Sequence, residues 1–280
     1  MNYIEILNNG KNFLKKNKIK NPILDSELLL SKVLNKSREE ILLNSNYILK
    51  KKEINKFNSY LLRRKYNEPI AYILGFKYFW KYKFITNKSV LIPRPDTELI
   101  VEECLKYLPN NKSKKILDIG TGSGCIIISI LKERSKCIAT ALDLSNRALN
   151  VAKSNAKLHQ LENKINFINI DIDKYNSYNY DLIISNPPYI NNVDLSRLDN
   201  DIKFHEPKIA LSGGFDGFRD IKKVIIKSKK LLKRNGKLII EIGSKQRNQS
   251  IKILNENDFY INRISKDLSG KDRCIISTKL

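Results

Sequence analysis

The nine residues ILDIGTGSG, at positions 116–124, decide the fold of this chain. An apolar run of strand character leads directly into alternating glycines, and an apolar segment of helical character follows at 123–133. Glycines at such a junction allow a tight turn and let the backbone approach a ligand closely. The stretch therefore predicts the first strand, loop and helix of an α/β domain, and residues 120–124 are called the glycine loop below.

Strands and helices alternate around this stretch, from about residue 93 to the end of the chain. The candidate strands are nearly continuous apolar runs, as expected for a parallel sheet that helices cover on both faces. We predict strands at 115–119, 137–142, 165–170, 180–185, 237–242, 259–264 and 273–278, and helices at 123–133, 145–158 and 217–233. This order is typical of an α/β fold with a doubly wound, mostly parallel sheet.

Two segments with a different pattern precede the sheet. Residues 1–67 carry apolar side chains three and four positions apart, which predicts a small helical bundle that docks a partner. Residues 68–92 read as a β-hairpin linker, in which Gly75 separates 70–74 from an aromatic-rich stretch. We therefore expect three parts, with the ligand-binding sheet domain at 93–280.

Composition narrows the class of protein. Of the 280 residues, 41% are hydrophobic, yet no apolar run approaches the roughly 20 residues of a membrane-spanning helix. The N-terminus lacks the pattern of a signal peptide, so we expect a cytoplasmic protein. Four cysteines without CxxC spacing and two histidines predict neither a disulfide framework nor a metal site.

The formal net charge of +23 would ordinarily indicate an acidic partner such as nucleic acid. Lys, Asn and Ile are abundant throughout, however, even where any polar or apolar residue would serve, which is typical of AT-rich codon usage. We therefore predict no direct requirement for nucleic acid. A monomer is the default expectation, because nothing in the sequence argues strongly against it. A ribosome-associated partner stays open.

The spacing of the glycines indicates the ligand. Dinucleotide-binding loops carry GxGxxG, whereas the glycines here alternate as GxGxG and follow Asp118. A carboxylate at that position repels a pyrophosphate but suits a cationic ligand. Asp143, about 20 residues past the glycines, stands at the end of the second strand, where an acid holds ribose hydroxyls. Together these features favour S-adenosylmethionine over NAD.

A second motif, Asn-Pro-Pro-Tyr at 186–189, follows the predicted strand at 180–185 and is called the acceptor segment below. Proline cannot donate a backbone hydrogen bond, so the Asn186 side chain and the carbonyls are acceptors that an NH2 group can pair with. Taken alone, the motif also fits a proline turn that closes a strand. In an open α/β sheet it lies on the same edge as the glycine loop, which predicts a methyl donor beside an amino acceptor.

These motifs give the chain a resemblance to class I S-adenosylmethionine-dependent methyltransferases, and more narrowly to the PrmC/HemK family, the protein-(glutamine-N5) methyltransferases of peptide chain release factors. The resemblance also covers EPIAYILG at 68–75, LIPRPDTE at 91–98, and EP at 206–207 followed by AL and GG. PRPDTE is specific to this family. The resemblance implies a Rossmann-like sheet and methylation of the N5 amide of the glutamine in a GGQ motif, in support of translation termination.

The resemblance also implies roles for individual residues. The cofactor-binding set is Gly120, Thr121, Gly122, Ser123, Gly124, Asp143, Asp171, Ile172 and Asn186. The glutamine side chain is held by Asn186, Pro187, Pro188 and Tyr189, of which Asn186, Pro187 and Tyr189 are catalytic. Relatives often carry an aromatic residue where this chain has Ile172, which caps adenine by dispersion instead. We expect His205 to have a packing role.

Two alternatives use the same motifs. An adenine-N6 DNA or RNA methyltransferase can grip a flipped adenine with Asn-Pro-Pro-Tyr, and the positive charge favours it. PRPDTE and the short helical N-terminal part argue against it. A non-catalytic nucleic-acid-binding scaffold would require decay of the glycine loop or of Asn186, and both are intact.

Overall fold

The structure, a computed structural model, describes residues 2–43 and 47–280 and divides into two compact units. The first unit is formed by Met1–Phe76 with Asp199–His205, and the second by Lys77–Leu198 with Glu206–Leu280. The division at Phe76 falls within the predicted linker, and the boundaries at residues 67 and 92 stay predictions. Among the described residues, none of the helices has both the length and the apolar character needed to cross a bilayer.

The first unit is helical, as the apolar spacing predicts. Its helices are α1 (Tyr3–Lys16), α2 (Pro22–Leu34), α3 (Arg38–Leu43), α4 (Lys51–Lys65) and α5 (Ile70–Leu74). A capping box starts α1, since Asn2 Oδ1 accepts from the Glu5 amide at 2.9 Å while Glu5 Oε2 accepts from the Asn2 amide at 3.0 Å. Leu14, Leu29 and Phe57 belong to a common apolar core between these helices.

The predicted hairpin turn at Gly75 is wrong. Residues Ile70–Leu74 form α5, which follows Pro69 and ends at Gly75 with φ of +83°, a helix-ending conformation that glycine adopts readily. The hairpin consists instead of β1 (Phe76–Phe79) and β2 (Tyr82–Ile85), and its turn includes Trp80 with φ of +56°. The aromatic side chains concealed the two-residue loop, because Trp is an uncommon residue at positive φ.

The second unit contains a seven-stranded sheet with the order β5-β4-β3-β6-β7-β9-β8. The pairs from β5 to β7 are parallel, and β9 runs antiparallel to both β7 and β8. The strands are β3 (Lys115–Ile119), β4 (Ile138–Asp143), β5 (Ile165–Asn169), β6 (Tyr180–Ser185), β7 (Leu232–Glu241), β8 (Phe259–Lys266) and β9 (Asp272–Lys279). The predicted fold class is confirmed, with each predicted strand present within a few residues except that β7 begins five residues earlier.

Helices cover both faces of this sheet. They are α6 (Glu98–Tyr107), α7 (Cys125–Glu133), α8 (Asn146–Leu158), α11 (Arg219–Leu231) and α12 (Arg247–Asn255), while the short α9 (Asn192–Ser196) buries none of its residues and α10 (Asn200–His205) lies in the first unit. Neighbouring residues of β3 enter different cores: Ile116 packs in one apolar cluster and Leu117 in another, and both are fully buried. Burial on both faces explains why the strands read as continuous apolar runs.

The register of the central strands positions the site. Ile119 at the end of β3 pairs with Leu142 on one side and with Ser185 on the other. The residues that follow these strands therefore emerge at one edge of the sheet, which brings together Gly120, Asp143 and Asn186.

Candidate active site

A cavity of about 590 Å³ opens at this edge, within the second unit. It is lined by most of the predicted site residues: Gly120, Thr121, Gly122, Ser123, Asp143, Asp171, Ile172, Asn186, Pro187 and Pro188. Gly124 and Tyr189 lie outside the lining. The structure thus brings the glycine loop and the acceptor segment to one cavity, as their positions at strand ends predict.

Backbone conformation shapes the glycine loop. Gly120 and Gly122 have φ of +75° and +57°, in the left-handed region, and a Cβ on either would meet no atom within 4 Å. Their lack of a side chain therefore leaves the backbone open to the cavity. Gly124 has a different role. A Cβ on Gly124 would lie 3.0 Å from the Ile128 side chain and 3.3 Å from the Ala152 side chain, so the absence of a Cβ lets the loop pack closely against α7 and α8.

Asp143 joins the glycine loop to the end of β4. Its Oδ2 accepts a hydrogen bond from the Gly122 amide at 2.9 Å, and its Oδ1 accepts from the Ser145 amide at 2.8 Å. Burial raises the pKa of this carboxyl, and the two backbone hydrogen bonds oppose that effect. Since each carboxylate oxygen has a second lone pair, Asp143 can still accept from a ligand hydroxyl in the cavity.

Asp118 does not face the cavity, contrary to the expectation that its carboxylate meets a cationic ligand. The side chain is fully buried, its Oδ2 accepts from Thr121 Oγ1 at 2.7 Å, and its Oδ1 has no hydrogen-bond partner. Burial raises its pKa to about 7. Asp118 therefore supports the loop from below and acts on a bound ligand only through the loop.

Asp171 and Ile172 form the wall beyond β5. Asp171 Oδ1 accepts from the Asp173 amide at 2.9 Å, and Ile172 packs partly against the core beneath the sheet. Lys223 of α11 also lines the cavity, with its Nζ 2.9 Å from Asp173 and 3.9 Å from Asp171. Sequence reasoning missed Lys223 because it belongs to one of several lysine-rich helices and carries no distinguishing motif.

Asn186 is held by one hydrogen bond to a residue that sequence reasoning did not assign a role. Its Nδ2 donates to Thr97 Oγ1 at 3.0 Å, and Thr97 also lines the cavity. Because the amide nitrogen is engaged by Thr97, the acceptor Oδ1 is directed away from it. Among the described residues, none donates a hydrogen bond to the Pro187 carbonyl. The acceptor segment thus presents acceptors rather than donors.

Tyr189 turns away from the cavity into the core. Its hydroxyl donates to Glu241 Oε1 at 3.1 Å, and its carbonyl accepts from Gln246 Nε2 at 3.1 Å. Burial and, to a smaller extent, the nearby Glu241 charge raise the pKa of the phenol. The roles of Tyr189 in catalysis and in holding the glutamine side chain stay predictions, and in this structure its contacts anchor the acceptor segment.

A glycine-containing strap at 211–217 supports the acceptor segment from outside. Ile190 donates its amide to the Leu211 carbonyl at 3.1 Å and accepts from the Gly213 amide at 2.9 Å. A Cβ on Gly213 would lie 2.8 Å from the Pro188 carbonyl oxygen, so only glycine permits this approach. In the GG pair at 213–214, the absence of a side chain at Gly213 is therefore required by its close approach to the acceptor segment.

The PRPDTE and EP motifs meet at the rim of the cavity. Arg94 Nη2 lies 2.6 Å from Glu206 Oε1, and Glu206 Oε2 accepts from the Ile92 amide at 3.3 Å. This buried glutamate ties the segment before α6 to the segment after α10. His205, one residue earlier, pairs its Nε2 with the Tyr66 carbonyl at 3.0 Å inside the first unit, and its expected packing role stays a prediction.

Comparison with known proteins gives consistent matches over the whole chain. Residues 5–75 match a family model described as the PrmC N-terminal domain, and residues 97–200 match one described as the methyltransferase small domain. The chain is 37% identical over 281 residues to the release factor glutamine methyltransferase of Fusobacterium nucleatum, covering 99% of this chain and 78% of that protein.

Two further matches concern length and fold. A bifunctional methyltransferase of Rickettsia bellii is 38% identical over 298 residues, covering 97% of this chain but 54% of that protein, so the chain spans about half the length of this relative. The solved structure of a ribosomal protein L11 methylase from Lactobacillus delbrueckii matches with a TM-score of 0.51 and 20% identity, covering 73% of this chain and 89% of that one. The latter likeness supports the fold alone.

Proposed function

This chain belongs to the family of release factor glutamine methyltransferases, and we propose that it transfers a methyl group from S-adenosylmethionine to the side-chain amide nitrogen of a release-factor glutamine. We further propose that it acts as a monomeric, cytoplasmic enzyme of translation termination. The observation that carries the proposal is the shared cavity, which the glycine loop and the acceptor segment line from two sides.

The residues that line the cavity suit S-adenosylmethionine in polarity. A Cβ on Gly120 or Gly122 would point into free space, so the loop backbone can lie against a ligand. Asp143 retains lone pairs for the ribose hydroxyls, Asp171 lies on the wall for a polar group of the adenine, and Ile172 offers an apolar contact. When bound there, the cofactor supplies an electrophilic methyl group on a sulfonium.

Acceptors on the opposite wall select an amide. We assign Asn186 Oδ1 and the Pro187 carbonyl to the two N–H groups of the substrate glutamine, with Pro188 forming part of the same wall. A glutamate has no N–H to offer and would leave both acceptors unpaired on binding. Sites that bury unpaired polar groups discriminate strongly against such a competitor.

Positioning is the main task of these residues, because the lone pair of an amide nitrogen is delocalised and nucleophilicity is low. Two fixed acceptors hold the nitrogen in line with the methyl group, and well-oriented reactants gain several kcal/mol over free ones, roughly 7 to 11 in favourable cases. As the bond from the nitrogen to the methyl carbon forms, the bond from that carbon to the sulfonium sulfur would break, so that the sulfur would leave as a neutral thioether and the nitrogen would gain the positive charge. Acceptor dipoles favour that charge, and one N–H proton then leaves to solvent water.

The test is methyl transfer to purified full-length release factor with isotopically labelled S-adenosylmethionine. We expect one labelled methyl group on the GGQ glutamine by mass spectrometry, and none on a release factor in which that glutamine is replaced by Glu. Duplex DNA serves as the parallel substrate, because adenine-N6 transfer uses the same motif. Label in DNA and none in the release factor would overturn the proposal.

A further inference from the structure

A buried carboxylate lies directly behind the acceptor segment. Glu241, the last residue of β7, is 2% exposed, and its Oε1 accepts from the Tyr189 hydroxyl at 3.1 Å. Its Oε2 is buried without a hydrogen-bond partner. A buried carboxylate with an unpaired oxygen is costly, because burial without full pairing removes hydration that nothing replaces. None of the steps proposed for methyl transfer uses Glu241.

Thr97 connects the carboxylate to Asn186. The Thr97 hydroxyl accepts from Asn186 Nδ2 at 3.0 Å, and it also lies near enough to Glu241 to lower the pKa of that carboxyl, although it makes no full hydrogen bond to Oε2. A hydroxyl has only one proton to donate. When the Thr97 proton points at Glu241, only the oxygen lone pairs of Thr97 face Asn186. The Asn186 side-chain amide must then turn its nitrogen toward Thr97.

We propose that Glu241 is a positioning residue for methyl transfer, which acts through Thr97 and Tyr189 to keep the Asn186 Oδ1 acceptor directed at the substrate amide. The inference rests on the proposed function only for its catalytic consequence. The orientation of the Asn186 amide is a property of the free protein.

The charge state of Glu241 decides the direction of this chain of contacts. An ionised carboxylate attracts the hydroxyl proton of Thr97, which leaves the Thr97 lone pairs to accept from Asn186. A protonated Glu241 donates to Thr97 instead, and the Thr97 proton is then free to turn toward Asn186. The amide can flip in response and present its NH2 group to a substrate NH2, which gives two donors facing each other.

The same charge also favours the reaction directly. Positive charge moves from the cofactor toward the substrate nitrogen during transfer, and the acceptor segment lies between that nitrogen and Glu241. An anion buried in a low-dielectric region behind the acceptors stabilises the product side of this shift. Arrays of connected hydrogen bonds also polarise one another, which strengthens Oδ1 of Asn186 as an acceptor.

Surrounding charges set the pH range in which Glu241 works. Burial raises the pKa of Glu241 to about 7, while the hydroxyls of Thr97 and Tyr189 and the charge of Arg273 lower it, and the charge of Asp96 raises it. Arg273 Nη2 lies 2.9 Å from Asp267 Oδ2 and 3.5 Å from Asp96 Oδ2. These two carboxylates partly neutralise Arg273 and so weaken its effect on the pKa of Glu241. The thiol of Cys274 is also nearby, and burial keeps it protonated by raising its pKa.

The central variant is Glu241→Gln, which retains the volume and removes the charge. We expect kcat toward the release factor to fall by roughly 10- to 100-fold, the range for a misoriented catalytic group, with the Kd for S-adenosylmethionine by calorimetry unchanged. In the wild type, kcat should decline as the pH falls through about 7, because Glu241 then gains a proton. That acid limb should be absent in the variant.

Three further variants separate positioning from folding. Thr97→Ser keeps the hydroxyl and should retain kcat, whereas Thr97→Val should lose it as Glu241→Gln does. Glu103→Gln is the control, since Glu103 of α6 is 1% exposed and has an unpaired Oε2, but its Oε1 accepts from Ser265 Oγ and Lys106 Nζ, both at 2.8 Å, away from the cavity. It should alter the melting temperature without changing kcat.

A second readout needs neither cofactor nor substrate. In protein labelled with 15N-asparagine, the side-chain NH2 signals of Asn186, identified by their loss in Asn186→Asp, should shift with pH in the wild type and stay constant in Glu241→Gln. Wild-type kcat in Glu241→Gln, or pH-independent Asn186 signals in the wild type, would overturn the inference. If the wild type fails to methylate release factor, the proposed function fails, and the NMR titration still decides the role of Glu241.

Discussion

The glycine loop at 120–124 keeps its shape through local backbone geometry, whereas the acceptor segment at 186–189 depends on side chains from distant parts of the chain. In the loop, positive φ angles and a carboxylate one strand away suffice. The acceptor segment is held by Thr97, which is 89 residues away, and by Glu241, which is 52 residues from Tyr189. The difference suggests a division of labour in which one wall sets cofactor affinity and the other sets the rate.

The largest effect should come from Asn186→Ala, which removes the principal acceptor. Loss of one preorganised hydrogen-bonding group at a reacting centre lowers kcat by about 100- to 1000-fold. The Kd for S-adenosylmethionine should remain measurable by calorimetry, because the glycine loop is untouched. Full activity on a release factor would break the proposed division of labour.

Gly213→Ala should give the next largest effect on kcat, again without loss of cofactor affinity. The new Cβ would lie 2.7 Å from the Gly217 carbonyl and 2.8 Å from the Pro188 carbonyl, so the acceptor segment must move. A displacement of that kind can cost on the order of 100-fold in rate.

Gly236→Ala is the matched control for Gly213→Ala. Its Cβ would lie 2.9 Å from the Lys233 carbonyl, in the part of β7 that precedes the strand end at Glu241. Thermal melting should show destabilisation in both variants, while only Gly213→Ala should reduce kcat in the folded enzyme. Equal kcat in the two variants would show that the strap at 211–217 does not position the acceptor segment.

Asp143→Ala tests the other wall. Removing this carboxylate abolishes its hydrogen bonds to the amides of Gly122 and Ser145 and any contact with the ligand. We expect S-adenosylmethionine binding to weaken by about 1 to 3 kcal/mol, the range for losing a charged hydrogen-bond partner. At saturating cofactor, kcat should change little. Unchanged calorimetric affinity would refute the assignment of Asp143 to the cofactor.

Asp118→Asn should have the smallest effect on activity and a measurable effect on the pH dependence of stability. Burial raises the pKa of Asp118 from 3.8 to about 7 in the folded protein. Between these values the unfolded chain loses the proton that the folded protein keeps, so stability falls as pH rises, by up to about 1.4 kcal/mol per pH unit. Below the lower value this penalty is absent.

Urea unfolding at about pH 5 and about pH 7.5 measures this contribution through the linkage of protonation to stability. The wild type should lose more stability than Asp118→Asn between the two conditions. The contrast with Glu241 is the informative part, because both carboxylates are buried at the same sheet edge with a pKa of about 7. Only Glu241→Gln should change the Asn186 NMR signals, and equal responses in both variants would erase the distinction.

The sequence predicts the features that depend on neighbouring residues and misses those that depend on distant ones. The strands, the glycine loop and the position of Asn186 could be predicted because apolar runs, glycine spacing and proline act within a few residues of one another. The hairpin turn was misplaced because Trp80 adopts a positive φ that its residue type does not suggest. Asp118 and Tyr189 lie in the predicted motifs, yet the direction of each side chain depends on packing against α/β neighbours that local patterns do not specify.

By itself, the sequence determined the seven strands of the sheet, the order in which strand ends carry glycine and asparagine, and the family to which the chain is similar. Only the tertiary structure decided that Thr97 pairs with Asn186, that Tyr189 donates inward to Glu241, and that Lys223 reaches the cavity wall. The physical reason is the separation along the chain over which each kind of interaction acts. Backbone preferences and hydrophobic periodicity act locally, whereas a hydrogen bond between buried side chains exists only after the sheet has brought distant strand ends within about 3 Å.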